Sequence, residues 1–183
     1  MIYETLTYGV DQDIAVITLN RPTVMNALNT QMRAEITDAM RKAGQAARVV
    51  VLTGSGRAFC SGQDLGAEGN FADIDLERTL KDEYVPMLKA ITECPVPTIS
   101  AVNGPAAGAG ANLALAADVV IAAESAYFVQ AFTRIGLIPD AGGTYLLPRQ
   151  MGLAKAMGAA LFADKICARQ ASEMGMIWES VAD

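Results

Sequence analysis

Four short runs constrain the fold most: "DIAVITLN" (13–20), "RVVVLTG" (48–54), "TISAVNG" (98–104) and "DVVIAA" (118–123). Each is rich in β-branched residues and almost continuously apolar, whereas a strand with one wet face would alternate. Such runs predict strands buried on both faces, in a mostly parallel sheet with helices packed over it. The stretches between them carry the helical period instead. In "NTQMRAEITDAMRKAG", Met32, Ile36, Ala39, Met40 and Ala43 fall on one stripe, and Asn29 or Thr30 can cap its start. "DLERTLKDEYVPMLKAI" repeats the stripe through Leu76, Leu80, Val85, Leu88 and Ile91, with a kink expected at Pro86. "GLAKAMGAALFAD" is apolar almost all round and predicts a buried helix. Strand–helix alternation of this kind is the α/β pattern, and 183 residues suit one domain spanning 1–183.

Composition narrows the chemistry. Hydrophobic residues make up 52% of the chain and charged ones 19%, a globular balance. A net charge of −6 and 6% aromatics disfavour a nucleic-acid surface. No apolar run reaches the ~20 residues of a membrane span, and "MIYETLTYGVDQD" lacks the basic start and apolar core of a signal peptide. Cys60, Cys94 and Cys167 form no CxxC pair, so reduced thiols and a cytoplasmic location are expected. The chain has no histidine. That excludes Ser-His-Asp and Cys-His relays and the commonest zinc sites, and no metal is expected. Proton transfer must then use a carboxylate, a lysine, a tyrosine or a cysteine.

Two glycine-rich turns follow strands: "GSGRAFCSGQDL" and "NGPAAGAGANLALAAD". Neither is a P-loop, since no Lys-Ser/Thr follows the glycines, and "GAGANL" has Leu113 where a dinucleotide fingerprint has its third glycine. Small side chains from Ala106 to Gly110 let a ligand approach the backbone closely. A helix starting near residue 107 would leave its first N–H groups unpaired and positively polarised. An N–H near Ala109 set against one near Gln63 would make a two-donor oxyanion hole. Tight helix–sheet packing explains the same small residues equally well. Residues 55–74 form a long polar connection of the kind that is often functional. In "RIGLIPDAGGTYLLPR", Asp140 stands between a proline and two glycines in an apolar run, which taken alone is ordinary turn chemistry.

Together, "ITLNRPTVMNALN", "VVLTGSGRAFCSGQDL", "ISAVNGPAAGAGANLALAADVVIAAESAYF", "RIGLIPDAGGTYLLPR" and "ARQASEMGMI" resemble, in order and spacing, the crotonase or enoyl-CoA hydratase/isomerase superfamily. The resemblance implies a spiral of ββα units that binds an acyl-CoA thioester, with CoA entering as part of the substrate and no separate cofactor. It implies that the backbone N–H groups of Gln63 and Ala109 hold the thioester oxygen. Substrate and CoA contacts are implied at Met25, Ala27, Leu28, Ser61, Gly62, Asp64, Leu65, Gly108, Asn112 and Phe132. Hydratases of the family carry glutamates at the positions of Asn112 and Phe132, so both hydratase carboxylates are missing here. The acid stands instead at Asp140, as in the branch that isomerises aromatic-ring epoxide CoA esters. Asp140 is therefore the expected base, with Phe132, Leu137 and Ile138 as a dry wall that raises its pKa.

The implied reaction is isomerisation of an aromatic epoxide CoA ester of phenylacetate catabolism, or of a 3-enoyl-CoA. The alternatives are an enoyl-CoA hydratase that uses Asp140 with another acid, and a non-catalytic subunit that binds CoA esters. Asp64, Asp118 and Asn103 receive structural readings as turn or local hydrogen-bonding residues, Cys60 as a buried thiol and Tyr145 as packing. Relatives continue into a C-terminal helical segment and assemble as trimers or hexamers. The chain ends at "WESVAD", so a homo-oligomer with apolar surface exposed around "GLAKAMGAALFAD" is expected, and Cys167 stands where a helix-capping Ser or Thr is common.

Overall fold

All four buried runs form strands in the computed structural model, which describes residues 2–66 and 75–183. A hairpin opens the chain: β1 (Leu6–Asp11) pairs antiparallel with β2 (Ile14–Leu19), turning at Gln12 and Asp13, both with positive φ. β1 escaped the sequence reading because it is an edge strand whose residues mostly face water, so it lacks the continuous apolar run. The helix α1 (Thr30–Ala46) starts as expected, with Asn29 Oδ1 accepting from Met32 N at 2.9 Å. Its whole apolar stripe, Met32, Ile36, Ala39, Met40 and Ala43, is buried.

β3 (Val49–Gly54) leads through the long connection to α2 (Leu76–Thr79), a π turn (Leu80–Tyr84) and α3 (Val85–Thr92). The kink expected at Pro86 coincides with a widened turn directly before it, inside a helical run that continues from α2 into α3. β4 (Thr98–Val102), β5 (Ala106–Ala107), α4 (Ala109–Leu115), β6 (Val119–Ala123) and β7 (Tyr127–Val129) follow. The chain then runs through α5 (Gly143–Met151), α6 (Leu153–Phe162), β8 (Ile166–Cys167), α7 (Ala168–Glu173) and β9 (Glu179–Val181).

The main sheet has the order β1-β2-β3-β4-β6-β9 and is parallel throughout except for the first pair. A small second sheet, β5-β7-β8, stands beside it. Asp118 joins β4 to β6, its Oδ2 accepting from Thr98 N and Thr98 Oγ1, both at 2.8 Å. Two expectations need correction. Ile17, Leu19, Val50, Leu52, Val102 and Ala122 bury one sheet face under α1 and α4, but Ile14 and Val16 on the other face are exposed and Val51, Ile99 and Ile121 only half-buried. Helix α6 is not buried all round: Ala156 and Ala159 pack inward, while Leu153, Met157, Leu161 and Phe162 face outward.

Candidate active site

Loops leaving the carboxyl ends of β2, β3 and β4 meet at one corner of the sheet, the end where parallel α/β sheets bind ligands. The stretches 25–28 and 61–64 run side by side there. Ser61 N donates to Met25 O (3.0 Å), Leu28 N to Gly62 O (2.8 Å) and Asp64 N to Leu28 O (3.1 Å). Because the residues flanking Gln63 bond to Leu28, the Gln63 N–H is turned to the opposite side. Among the described residues it has no acceptor.

The second glycine-rich turn lies on that side. Ala107 N donates to Cys60 O (2.9 Å) and Gly108 N to Val129 O (2.8 Å), after which α4 begins at Ala109. As the first helical residue, Ala109 has no intrahelical acceptor for its N–H, and none exists among the described residues. Each free amide follows a glycine with positive φ, Gly62 at +94° and Gly108 at +52°. A Cβ on Gly62 would stand 2.8 Å from Ala107 O and 3.4 Å from Ala109 N. The two turns come this close only because residue 62 has no side chain.

Between the turns lies a cavity of about 270 Å³, lined by both glycine turns, Tyr84, Phe132, Leu137 and Asp140. Asp140 Oδ1 is buried without a hydrogen-bond partner. Burial pushes the carboxyl pKa up from 3.8 to about 6, slightly opposed by its own backbone N–H. The other interior acids are satisfied. Burial alone would raise the Glu35 pKa, but bonds from Glu4 N, Thr5 N and Thr5 Oγ1 outweigh it and hold it low. Glu83 is likewise desolvated, yet its pairing with Arg33 at 2.6 Å keeps its pKa below the ordinary value. Asp64 is paired with Arg21 at 2.7 Å. Among the described acids, Asp140 carries the buried carboxyl oxygen without a hydrogen-bond partner.

Other expected residues sort clearly. Ala27 and Leu28 are buried, while Met25 and Leu65 are exposed beside them. Ser61, Gly62, Gln63, Leu65, Gly108, Ala109 and Phe132 all line the cavity. Ile138 does not: it is 77% exposed and lines a separate apolar groove with α5 and α6, and Ile135 takes its place on the cavity wall. Asn112 does not reach the cavity either. It is fully buried, donating from Nδ2 to Asp140 O (2.8 Å) and accepting at Oδ1 from Gln130 Nε2 (2.9 Å). Asp64 closes a turn with Gly66 N, and Asn103 bridges Gly54 N to Gly56 O. Cys60 is buried, with its thiol pushed up to about 12 by desolvation, so it is inert. Tyr145 lies exposed under the Arg149 guanidinium, and Cys167 makes no side-chain cap to α7.

Sequence reasoning missed the group behind Gln63. Arg33, with no exposed surface, donates to Gln63 Oε1 (2.8 Å) and Leu28 O (2.6 Å), and Tyr84 Oη donates to Gln63 Oε1 (2.6 Å). One signal for it was present: Arg33, Ile36 and Met40 share a helical face, and a charge on an apolar face needs a buried partner. Asn26 was also missed. Its Nδ2 donates to Ser55 O and Ala58 O, which ties the first loop to the second.

Gln63 and Ala109, whose N–H groups have no acceptor among the described residues, line one cavity with Asp140, a set of groups that can hold a carbonyl oxygen while a proton moves beside it. The chain belongs to the enoyl-CoA hydratase/isomerase family, whose sequence profile matches residues 9–183. A Rhodobacter capsulatus protein named "Probable enoyl-CoA hydratase" is 64% identical over 183 residues, covering 100% of this chain and 71% of that protein. The 1,2-epoxyphenylacetyl-CoA isomerase of Escherichia coli is 46% identical over 185 residues, covering 98% and 71%. The crystal structure of a Mycobacterium abscessus protein named "putative Enoyl-CoA hydratase/isomerase" superposes with a TM-score of 0.91 at 38% identity, covering 97% of this chain and 71% of that one. These likenesses establish the crotonase-type α/β fold.

Proposed function

We propose that the protein is an acyl-CoA isomerase that works through a thioester enolate, with Asp140 as the base. The carrying observation is the buried, unpartnered Asp140 Oδ1 in the same cavity as Gln63 and Ala109. The thioester oxygen sits between the two N–H groups, each worth on the order of 3 kcal/mol to the enolate. Asp140 takes a proton from one carbon, and the resulting acid returns it at another, so one carboxyl serves both steps. Phe132, Ile135 and Leu137 keep water away and the base desolvated. Met25 and Leu65 offer the exposed apolar rim against which the CoA adenine end lies.

The substrate is an aromatic-ring epoxide CoA ester or a 3-enoyl-CoA. The Escherichia coli relative's name supports the first, and a base with no second acid beside it among the described cavity residues supports both. The hydratase reading draws on the name of the Rhodobacter capsulatus relative. Hydration, however, needs an activated water as well as a proton source, and Phe132 and the internally bonded Asn112 provide neither. The active form is a homo-oligomer, supported by the apolar side chains exposed on α6, and it is cytoplasmic, supported by three cysteines without a disulfide. Among the described residues no helix is long and apolar enough to cross a membrane.

Product analysis separates the readings. Incubation with 1,2-epoxyphenylacetyl-CoA, a 3-enoyl-CoA and crotonyl-CoA, followed by liquid chromatography with mass spectrometry, should give a new chromatographic peak of unchanged mass from at least one of the first two. A product heavier by one water from crotonyl-CoA as the main activity would establish the hydratase instead.

A further inference from the structure

We infer that Asn112 is a positioning residue that ties the turn bearing the base to the helix bearing the second oxyanion amide. The inference rests on the reading of Asp140 as the base. Asn112 lies three residues after Ala109, about one turn further along α4. Both ends of its carboxamide are held. Gln130 reaches it with an N–H donor, so the oxygen faces Gln130 and the Nδ2 faces Asp140 O. Both Asn112 and Gln130 are sealed from solvent, at 0% and 1% exposure, so water has no route to replace either bond.

The turn above is shaped to this contact. Gly143 lies so close that a Cβ there would meet Asn112 Nδ2 at 2.5 Å. Asp140 O accepts twice, from Gly143 N within the turn and from Asn112 Nδ2 beneath it, both at 2.8 Å. Ala141 (+44°) and Gly142 (+81°) both hold positive φ, a backbone that costs an alanine about 1 kcal/mol and needs support from outside. The path from base to oxyanion donor is therefore one carbonyl, one fixed carboxamide and one helical turn, without a flexible link. Enolate formation requires both groups in register with the same carbonyl, and a shift of ~1 Å costs about 100-fold in rate. Asn112 sets that register.

The test is deuterium wash-in at Cα of phenylacetyl-CoA by the full chain, measured across the acidic and neutral range. Asn112→Leu should lower the maximal exchange rate about 100-fold and change KM less than kcat. It should also move the acidic limb of the profile down from about 6 as the released turn lets water reach the carboxyl. Gln130→Met, which loosens Asn112 without removing it, should give the same signature in smaller measure, and it serves where Asn112→Leu does not fold. A normal rate with an unmoved limb in a folded variant overturns the tie. So does a loss that only follows the fraction of folded protein by circular dichroism. Exchange retained in Asp140→Asn sinks the base reading and the tie with it. An inactive Asp140→Asn beside a normal Asn112→Leu leaves the base standing and removes only the tie.

Discussion

Asp140 holds its proton in this fold as a solvated aspartate in the same turn would not. Its pKa rises from 3.8 to about 6 because burial removes water from the charged form. The rate of proton abstraction should therefore rise with pH through about 6 and level off above it. Stability should run the other way. The folded state holds the proton more tightly than the unfolded chain, so the stabilisation from the neutral carboxyl is present below 3.8 and is lost as pH rises through about 6. Asp140→Asn should accordingly melt higher than the wild type at neutral pH and lose that advantage on acidification, as followed by calorimetry. At Gly62, with φ at +94° and a Cβ that would stand 2.8 Å from Ala107 O, Gly62→Ala should cost ~1–3 kcal/mol in urea unfolding and slow exchange as the amides part. Residue-level legibility was uneven for a physical reason. Asp140 read alone is ordinary turn chemistry and became the expected base only through the family resemblance, whereas the contacts of Asn112 depend on a turn 28 residues away.

Among the elements, the π turn at Leu80–Tyr84 brings Tyr84 to the cavity wall. Its wider ring falls where the consecutive residues Glu83 and Tyr84 both reach the Arg33–Gln63 group. Arg33 also stacks 4.9 Å from the Tyr84 ring centre, so a single buried guanidinium joins α1, the π turn and the strand-like stretch that carries Gln63. Arg33→Met removes the buried guanidinium shared by Glu83, Gln63 and Leu28 O, leaving Glu83 with Arg78 and Gln63 with Tyr84, and should cost about 3–5 kcal/mol in denaturant unfolding. Adding Glu83→Leu should recover part of that loss, since a carboxylate that has lost its buried partner goes too. The main strands and α1 were legible because burial imposes period and continuity on their side chains. The π turn was not, because Pro86 announces a break without saying what shape it takes.

At the scale of the whole molecule, the same chain buries one sheet face and leaves the other partly open, and it buries the small residues of α6 while exposing the large ones. An apolar helix reads alike whether a neighbour covers it within the chain or in an assembly, which is why the sequence overstated its burial. Exposed Leu153, Met157, Leu161 and Phe162 beside an apolar groove of about 290 Å³ should drive self-association. Sedimentation should show a species heavier than the 19.2 kDa chain, and Leu161→Lys with Phe162→Glu should shift it towards the monomer. Proton transfer by Asp140 against two main-chain amides is the central claim, and Cα deuterium exchange of bound phenylacetyl-CoA reads it without regard to the final product. Asp140→Asn should lose about 1,000-fold in exchange rate while still binding the CoA ester. Exchange within about tenfold of wild type in that variant would contradict the assignment of Asp140 as the base.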